Sequence, residues 1–295
     1  MDIELEPDKY VLAVSGGVDS VVLLDALYGR RDIELVVAHF DHGIRPDSKE
    51  DRVFVRSLAK KYGLPFEYAE GRLGPRASEA TARRARYDFL EEVCKAQAAA
   101  AIITAHHQDD VLETVIINML RGTGRKGLSS LASGDKLERP LLHVPKQEII
   151  KYAKSHGLKW HEDSTNQEEA YLRNYIRRRL LPKFSEQDKK KLLKLTGQAR
   201  VTNKRIDSIL NEELHRHSDD AGLDRQWFRQ LPHDVALEAM AAWLRRSNIR
   251  NFDRKMLERL VVSAKTGRSG QRSDVINGNI MVVAKDNLAL DIHER

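Results

Sequence analysis

The sequence predicts an α/β protein: a parallel sheet with helices on both faces, followed by a mainly helical region that closes in a small β-hairpin. Three observations predict it. Strand-like and helix-like stretches alternate through the first half of the chain, as in a parallel sheet built from βα units. A glycine-bearing turn, Ser15-Gly16-Gly17-Val18-Asp19-Ser20, stands where the first strand hands over to the first helix. From Phe184 onward the texture changes to long charged helical stretches.

Taken in order, Tyr10–Val14, Glu34–Phe40, Phe66–Glu70 and Ala101–Ala105 have strand composition. Apolar residues at helical spacing predict helices over Val18–Tyr28, Lys49–Tyr62, Ser78–Ala98 and Asp109–Leu120. Ligands of such sheets sit at the carboxyl ends of the strands. The polar clusters Ser15–Ser20, His39–Arg45 and His106–Glu113 each follow a strand, so they are expected to converge. Further helices are expected over Gln187–His215, Val235–Ser247 and Asp253–Thr266, and Asn277-Gly278 is a hairpin turn signal. The domains expected are 1–185 and 186–295, meeting near Ser185. No repeat of 20 to 50 residues is visible, nor any low-complexity segment beyond Ala98–Ala101.

Length and composition narrow the class. At 295 residues and 41% hydrophobic content, the chain can build a large domain and a smaller one. No window approaches the roughly 18 consecutive apolar residues that a membrane span needs, and the acidic start Met1–Asp8 does not read as a signal peptide. A cytoplasmic protein is expected. The single cysteine, Cys94, suits a reducing compartment, and its place in the helical stretch Tyr87–Ala98 points to packing. A net charge of +6 favours a polyanionic partner where the basic residues cluster.

The turn Ser15–Ser20 suits a polyphosphate. A helix N-terminus offers unpaired N–H groups and partial positive charge, and Gly16 and Gly17 let the main chain approach an anion. The hydroxyls of Ser15 and Ser20 are expected to add donors. No Lys-Ser or Lys-Thr follows the glycines, so this is not a Walker loop. Asp19 stands there instead, and a carboxylate beside phosphates makes sense where Mg²⁺ bridges them, directly or through the phosphates. The plainer alternative is a capped βα turn.

A second cluster, Ala105-His106-His107-Gln108-Asp109-Asp110, runs on to Glu113 and Thr114. On a helix, Asp109 and Glu113 lie one turn apart and Asp110 neighbours Glu113, which makes an acidic wall. Three carboxylates beside a triphosphate call for a cation between them: Mg²⁺, an ammonium group, or both. The competing account is complementation of the helix dipole, which explains the acids but not the histidines. Zinc ligation by His106 and His107 lacks a Cys or third His at ligand spacing, so phosphate or ribose contacts are preferred.

Two basic runs follow. Arg83, Arg84, Arg86 and Tyr87 lie on one predicted helix, either rimming the cleft or forming a solvated face. Tyr171–Lys183 places Arg173 and Arg177 on one face and Leu172, Ile176 and Leu180 on another, with Arg178, Arg179, Tyr171 and Tyr175 between. Arginines interleaved with aromatics suit a nucleic-acid backbone with stacked bases; a domain-linking helix in solvated arginine is the alternative.

Ser15–Ser20 after a strand is similar to the signature of the N-type ATP pyrophosphatases, or PP-loop superfamily. Further strings resemble one family within it, the tRNA(Ile)-lysidine synthetases: His39-Phe40-Asp41-His42-Gly43-Ile44-Arg45, Glu79 with Ala82-Arg83 and Arg86-Tyr87, and Thr104-Ala105-His106-His107 with Asp109-Asp110 and Glu113-Thr114. Arg121-Gly122-Thr123-Gly124 with Gly127-Leu128, Arg139-Pro140-Leu141, and Asp163 with Asn166, Arg173-Asn174 and Arg177 follow in family order. The likeness covers roughly residues 10 to 183, and a short form without the second C-terminal domain of longer members is expected.

The resemblance implies a Rossmann-like sheet of the adenine nucleotide alpha hydrolase kind and a two-step ligase reaction with ATP, Mg²⁺ and L-lysine at the wobble cytidine of tRNA(Ile) with a CAU anticodon. It implies ATP contacts from Ser15, Gly16, Gly17, Val18, Asp19, Ser20, His39, Asp41 and His42. Catalytic roles are implied for Asp19, Asp109, Asp110, Glu113, His106 and Arg83, with tRNA contacts from Arg173, Arg177 and Arg178. The charged helices after Ser185 suit either tRNA steering or a homodimer contact. Superfamily relatives that thiolate tRNA need catalytic cysteines or iron–sulfur clusters, which one Cys does not supply. An amide-forming relative acting on a small metabolite and a non-catalytic nucleotide-binding module are the other readings.

Overall fold

The structure, a computed structural model, describes residues 1, 3–43, 48–71, 74, 79–129, 131, 133–134, 136–161, 172–250 and 252–292. Of the residues singled out above, Ile44, Arg45, Ser78, Asp163, Asn166 and Tyr171 lie outside them. The chain divides into two compact units, Met1–Ala199 and Arg200–Arg295.

The first unit alternates β1 (Lys9–Ala13), α1 (Val18–Tyr28), β2 (Glu34–Asp41), α2 (Ser48–Lys61), β3 (Phe66–Glu70), α3 (Glu79–Ala96), β4 (Ala101–Ile103), α4 (Gln108–Leu120), β5 (Leu137–Glu138) and α5 (Lys146–Ser155). The strands form one parallel sheet in the order β3-β2-β1-β4-β5. Period-two alternation sorts the side chains of β1. Tyr10 and Leu12 pack towards α1, α2 and α5 with Leu23, Val55 and Ile149, whereas Val11 packs on the other face with Leu90, Val93 and Cys94 of α3. Helices therefore cover both faces, and the strand order reverses between β1 and β4, which opens a crevice at their carboxyl ends.

Cys94 is a packing residue: it is buried, its thiol donates to Ala99 O at 3.2 Å, and burial pushes its pKa up. The strand expected over Ala101–Ala105 ends at Ile103, because Thr104 to His107 turn into the loop that starts α4.

After α6 (Leu172–Tyr175) the backbone takes a π-helical turn over Ile176–Leu180 and a 3₁₀ turn over Leu181–Lys183. The extra residue per turn alters the predicted apolar face. Ile176 is fully buried and Leu180 packs beside it, but Leu172 is 42% exposed and does not dock as expected. The long α7 (Glu186–Arg216) follows.

In the second unit β6 (Ser218–Asp219), β7 (Gly222–Asp224), α8 (Arg225–Gln230), α9 (His233–Arg246), α10 (Arg254–Thr266), β8 (Arg272–Asp274), β9 (Ile280–Val283) and β10 (Asn287–Asp291) follow. The expected hairpin is present: Asn277 and Gly278 both take positive φ, 57° and 81°, as a type I′ turn demands, and β8 pairs with β9. It is one part of a five-stranded antiparallel sheet, β6-β7-β10-β9-β8. Leu214, Phe228, Met240, Leu244, Leu260 and Met281 fill this unit's own core.

Candidate active site

A cavity of about 390 Å³ lies at the carboxyl ends of β1, β2 and β4, at the reversal of strand order. Ser15, Gly17, Asp19, Ser20, His39, Asp41, His42, His106 and Asp110 line it, so three clusters far apart in the chain meet there.

The turn after β1 leads straight into the N-terminus of α1. Gly16 takes φ 96°, which favours glycine, and Gly17 is the extended N-cap of α1. Ser15 and Ser20 do not simply add donors to a ligand. Ser20 Oγ is buried and donates to Gly17 O at 2.9 Å, Ser15 N donates to Ser20 Oγ at 3.2 Å, and Gly17 N donates to Ser15 Oγ at 3.3 Å. The hydroxyls thus brace the loop from inside. Gly16 and Val18 are not on the cavity wall; the Gly16 carbonyl accepts from His161 N at 3.0 Å.

Asp19 faces the cavity from the first turn of α1. Its Oδ1 receives Lys146 Nζ at 2.5 Å, and its Oδ2 lies 3.7 Å from His107 Nε2. That nitrogen is also 3.7 Å from Asp110 Oδ2. The adjacent histidines have therefore separated: His107 is buried between two carboxylates and N-caps α4, while His106 lines the cavity with Nδ1 2.8 Å from Thr104 Oγ1. Burial pushes His106 down to about 3, opposed by Asp110 and aided by Arg139, Arg86 and Arg83, so its imidazole is neutral at physiological pH. His39 is likewise pushed down by burial; its Nδ1 is 2.9 Å from Val14 O, and its Nε2 has no hydrogen-bond partner.

The acidic wall is split as well. Asp110 Oδ2 accepts from His107 N at 2.9 Å. Burial raises the Asp110 pKa, but His107, that N–H bond, His106 and Arg177 outweigh it and hold the carboxyl below its ordinary value. Glu113 is fully buried and absent from the cavity wall. Arg177 forks it, with Nε 2.6 Å from Oε1 and Nη2 2.9 Å from Oε2, and reaches Asp110 at 3.2 Å. Arg173 stands 4.0 Å from Glu113. Burial pushes the Glu113 carboxyl up against the pull of Arg177. Part of the cation expected among the acids is thus supplied by the chain itself, and Arg173 and Arg177 turn towards carboxylates. Arg178 is exposed, and Asp109 is half-buried in the first turn of α4 and off the cavity wall.

On α3, Arg83 is exposed and stacks on Tyr87 with its guanidinium 4.9 Å from the ring centroid, whereas Arg86 reaches the cavity wall. Burial raises the Tyr87 pKa, but Arg83, Arg86 and Arg139 together pull it below its ordinary value. Sequence reasoning did not single out Lys146, Asp51 or His161. Asp51 and His161 line the cavity and lie 2.8 Å apart, and His161 stacks on Phe54. Asp51 is marked in sequence only by its place at the start of a helix, and His161, past the end of α5, carries no local signal.

Among the described residues no group of three or more His, Cys, Asp or Glu side chains is placed to hold a metal ion. One carboxylate beside a glycine turn at a helix N-terminus does fit Mg²⁺ held with phosphate, since Mg²⁺ keeps several waters and binds through one or two carboxylates plus phosphate oxygens. No helix among the described residues is long and apolar enough to cross a membrane.

Comparison with known proteins places this geometry. The chain is 41% identical over 187 residues to a tRNA(Ile)-lysidine synthase of Geobacter sulfurreducens, covering 59% of this chain and 40% of that protein. It is 39% identical over 191 residues to one of Exiguobacterium sibiricum (63% and 45%) and 42% identical over 185 residues to one of Thermus thermophilus (61% and 36%). It thus spans less than half the length of these relatives. The U34-tRNA thiolase NcsA from Methanococcus maripaludis, solved with its 4Fe-4S cluster, shares the fold at 19% identity and a TM-score of 0.55, over 66% of this chain and 73% of that one. The PP-loop domain profile matches residues 3–184, more than half of the chain and the whole of the sheet and its crevice, so this chain belongs to the PP-loop domain family.

Proposed function

We propose that the chain is an ATP-dependent ligase that converts the wobble cytidine of tRNA(Ile) with a CAU anticodon to lysidine. The observation that carries the reading is the convergence of the glycine turn, Asp19, His106 and Asp110 on one cavity at the β1/β4 reversal. The names of relatives about 40% identical over this same unit support the substrate.

In the first step the cytosine O2 bonds to the α-phosphorus of ATP. The bond from that phosphorus to the bridging oxygen breaks, and the oxygen leaves with its electron pair as pyrophosphate. The Ser15–Ser20 turn and the N-terminal end of α1 hold the phosphates, Asp19 would hold Mg²⁺ against them, and Arg86 brings positive charge to the wall, with Arg83 behind it. The metal, when bound, neutralises charge on the departing pyrophosphate. His39, Asp41 and His42 take the nucleoside; the unpartnered His39 Nε2 offers an acceptor there.

In the second step the ε-amine of lysine bonds to C2, the C2–O2 bond breaks, and AMP leaves with that oxygen and the electron pair. Asp110 on the wall, with Asp109 beside it, receives the ammonium, while Glu113 is committed to Arg177. The amine must lose a proton. His106, on the wall and kept neutral chiefly by burial, accepts a hydrogen bond from the amine, its pKa of about 3 being too low for it to keep the proton. The exposed Arg178 contacts the tRNA backbone, with Arg173 and Arg177 ordering the turn that carries it.

ATP conversion to AMP and pyrophosphate is expected to require both tRNA and lysine. AMP formation with a small acid and ammonia instead would favour an amide-forming enzyme, and ATP binding without turnover would favour a nucleotide sensor.

A further inference from the structure

The turn that grips the phosphates carries no lysine of its own, and among the described residues lining the cavity Arg86 is the one Lys or Arg. A polyphosphate carries more negative charge than one guanidinium balances, so a further cation within reach of the turn would favour its binding. A lysine does reach the turn from a distant part of the chain. Lys146, the first residue of α5, places Nζ 2.5 Å from Asp19 Oδ1 across 127 positions of sequence.

Its position is fixed from behind. Pro145 sets the entry to α5, Ile149 and Ala153 are fully buried in the core that α1 shares, and Tyr152 donates to Asp25 Oδ2 of α1 at 3.0 Å. The base of the Lys146 side chain therefore keeps its place relative to the phosphate turn. Its tip is freer: the side chain is 30% exposed, and a lysine carries three donors on a flexible stem.

Asp19 is also the carboxylate that would hold Mg²⁺ beside the phosphates. Two cations compete for it, and like-charge repulsion favours departure of the ammonium once Mg·ATP is seated. The nearest new anions would be phosphate oxygens held by the turn.

We propose that Lys146 is a catalytic residue: it neutralises Asp19 in the free protein and passes to the β- and γ-phosphoryl oxygens when nucleotide binds, where it stabilises the departing pyrophosphate. This rests on the nucleotide-binding reading given above. Charge on the bridging oxygen grows as the bond to the α-phosphorus breaks, so the ammonium acts mainly in the transition state and its loss falls on kcat more than on KM.

The test pairs Lys146→Ala with Lys146→Arg and Lys146→Gln, each first compared with wild type by thermal melting; Gln retains most of the stem should Ala fail to fold. Lys146→Ala is expected to lower kcat for tRNA-dependent pyrophosphate release by about 100-fold or more, with the KM for ATP changed far less and part of the rate restored by Arg. With a non-hydrolysable ATP analogue, the Mg²⁺ concentration giving half-maximal binding is expected to fall in Lys146→Ala, because the competitor for Asp19 is gone. A crystal of wild type with that analogue and Mg²⁺ is expected to show Nζ on phosphate oxygens. Wild-type kcat in Lys146→Ala and Lys146→Gln, or an ammonium still on Asp19 in that crystal, would overturn the assignment alone. Failure of wild type itself to bind Mg·ATP would remove the nucleotide reading and this inference with it.

Discussion

Asp19 concentrates more of the proposed chemistry than any other side chain, because it meets the phosphate turn, Lys146 and His107 at once. Asp19→Ala is expected to abolish pyrophosphate release, and wild-type release in that variant would remove the metal assignment. His106 makes a different prediction, on stability. Its folded pKa of about 3 lies below the ordinary 6.5, so between those values the unfolded chain binds more protons than the folded one. Unfolding free energy should therefore decline as pH falls below about 6.5, by up to about 1.4 kcal/mol per pH unit from this residue, and the contribution should level off near pH 3. His39, also pushed down by burial, acts in the same direction. Denaturant titrations between pH 4 and 7 should show a shallower slope in His106→Asn than in wild type; an equal slope would mean that the imidazole is not held neutral.

Between elements, the governing contact is the ion pair that ties the π-helical turn to α4. Glu113 is fully buried, so removing Arg177 strands a carboxylate without its counter-charge. Arg177→Met is expected to cost about 3 kcal/mol, the low end for buried pairs because Arg177 is itself partly exposed. The double variant Arg177→Met with Glu113→Gln should recover much of that loss, and simple additivity in chemical denaturation would contradict the pairing. This contact also marks where sequence reading stopped. Helical spacing put Arg173 and Arg177 on one face, and the structure turns both to Glu113. What that face would meet depends on α4 packing against a turn more than sixty positions away, and no local pattern encodes it. Elements with strong periodicity or turn chemistry, such as α10 and the Asn277-Gly278 hairpin, were legible. The two-residue strands β5 and β6 were not, being defined only by their partners.

For the whole molecule, the sheet and the place of its crevice followed from the alternation of strands and helices, because the strand order forces the loops after β1, β2 and β4 together. Lys146 was invisible to that logic: nothing local distinguishes it from the other lysines of α5, and only the docking of α5 on α1 brings it to Asp19. The net charge of +6 makes a prediction at this scale too. Replacing the exposed Arg178 and Arg179 together by Ala should weaken tRNA binding and flatten its salt dependence by about one to two phosphate contacts, whereas an unchanged salt slope would make this a solvated face. The central claim is that the cavity activates a tRNA base with ATP for attack by lysine. Nucleoside mass spectrometry of a CAU tRNA(Ile) incubated with the protein, ATP, Mg²⁺ and isotopically labelled lysine tests it most directly. The predicted result is a wobble cytidine carrying the label, formed only when ATP is present; an unmodified cytidine, with wild-type protein that turns ATP over on another acceptor, would contradict it.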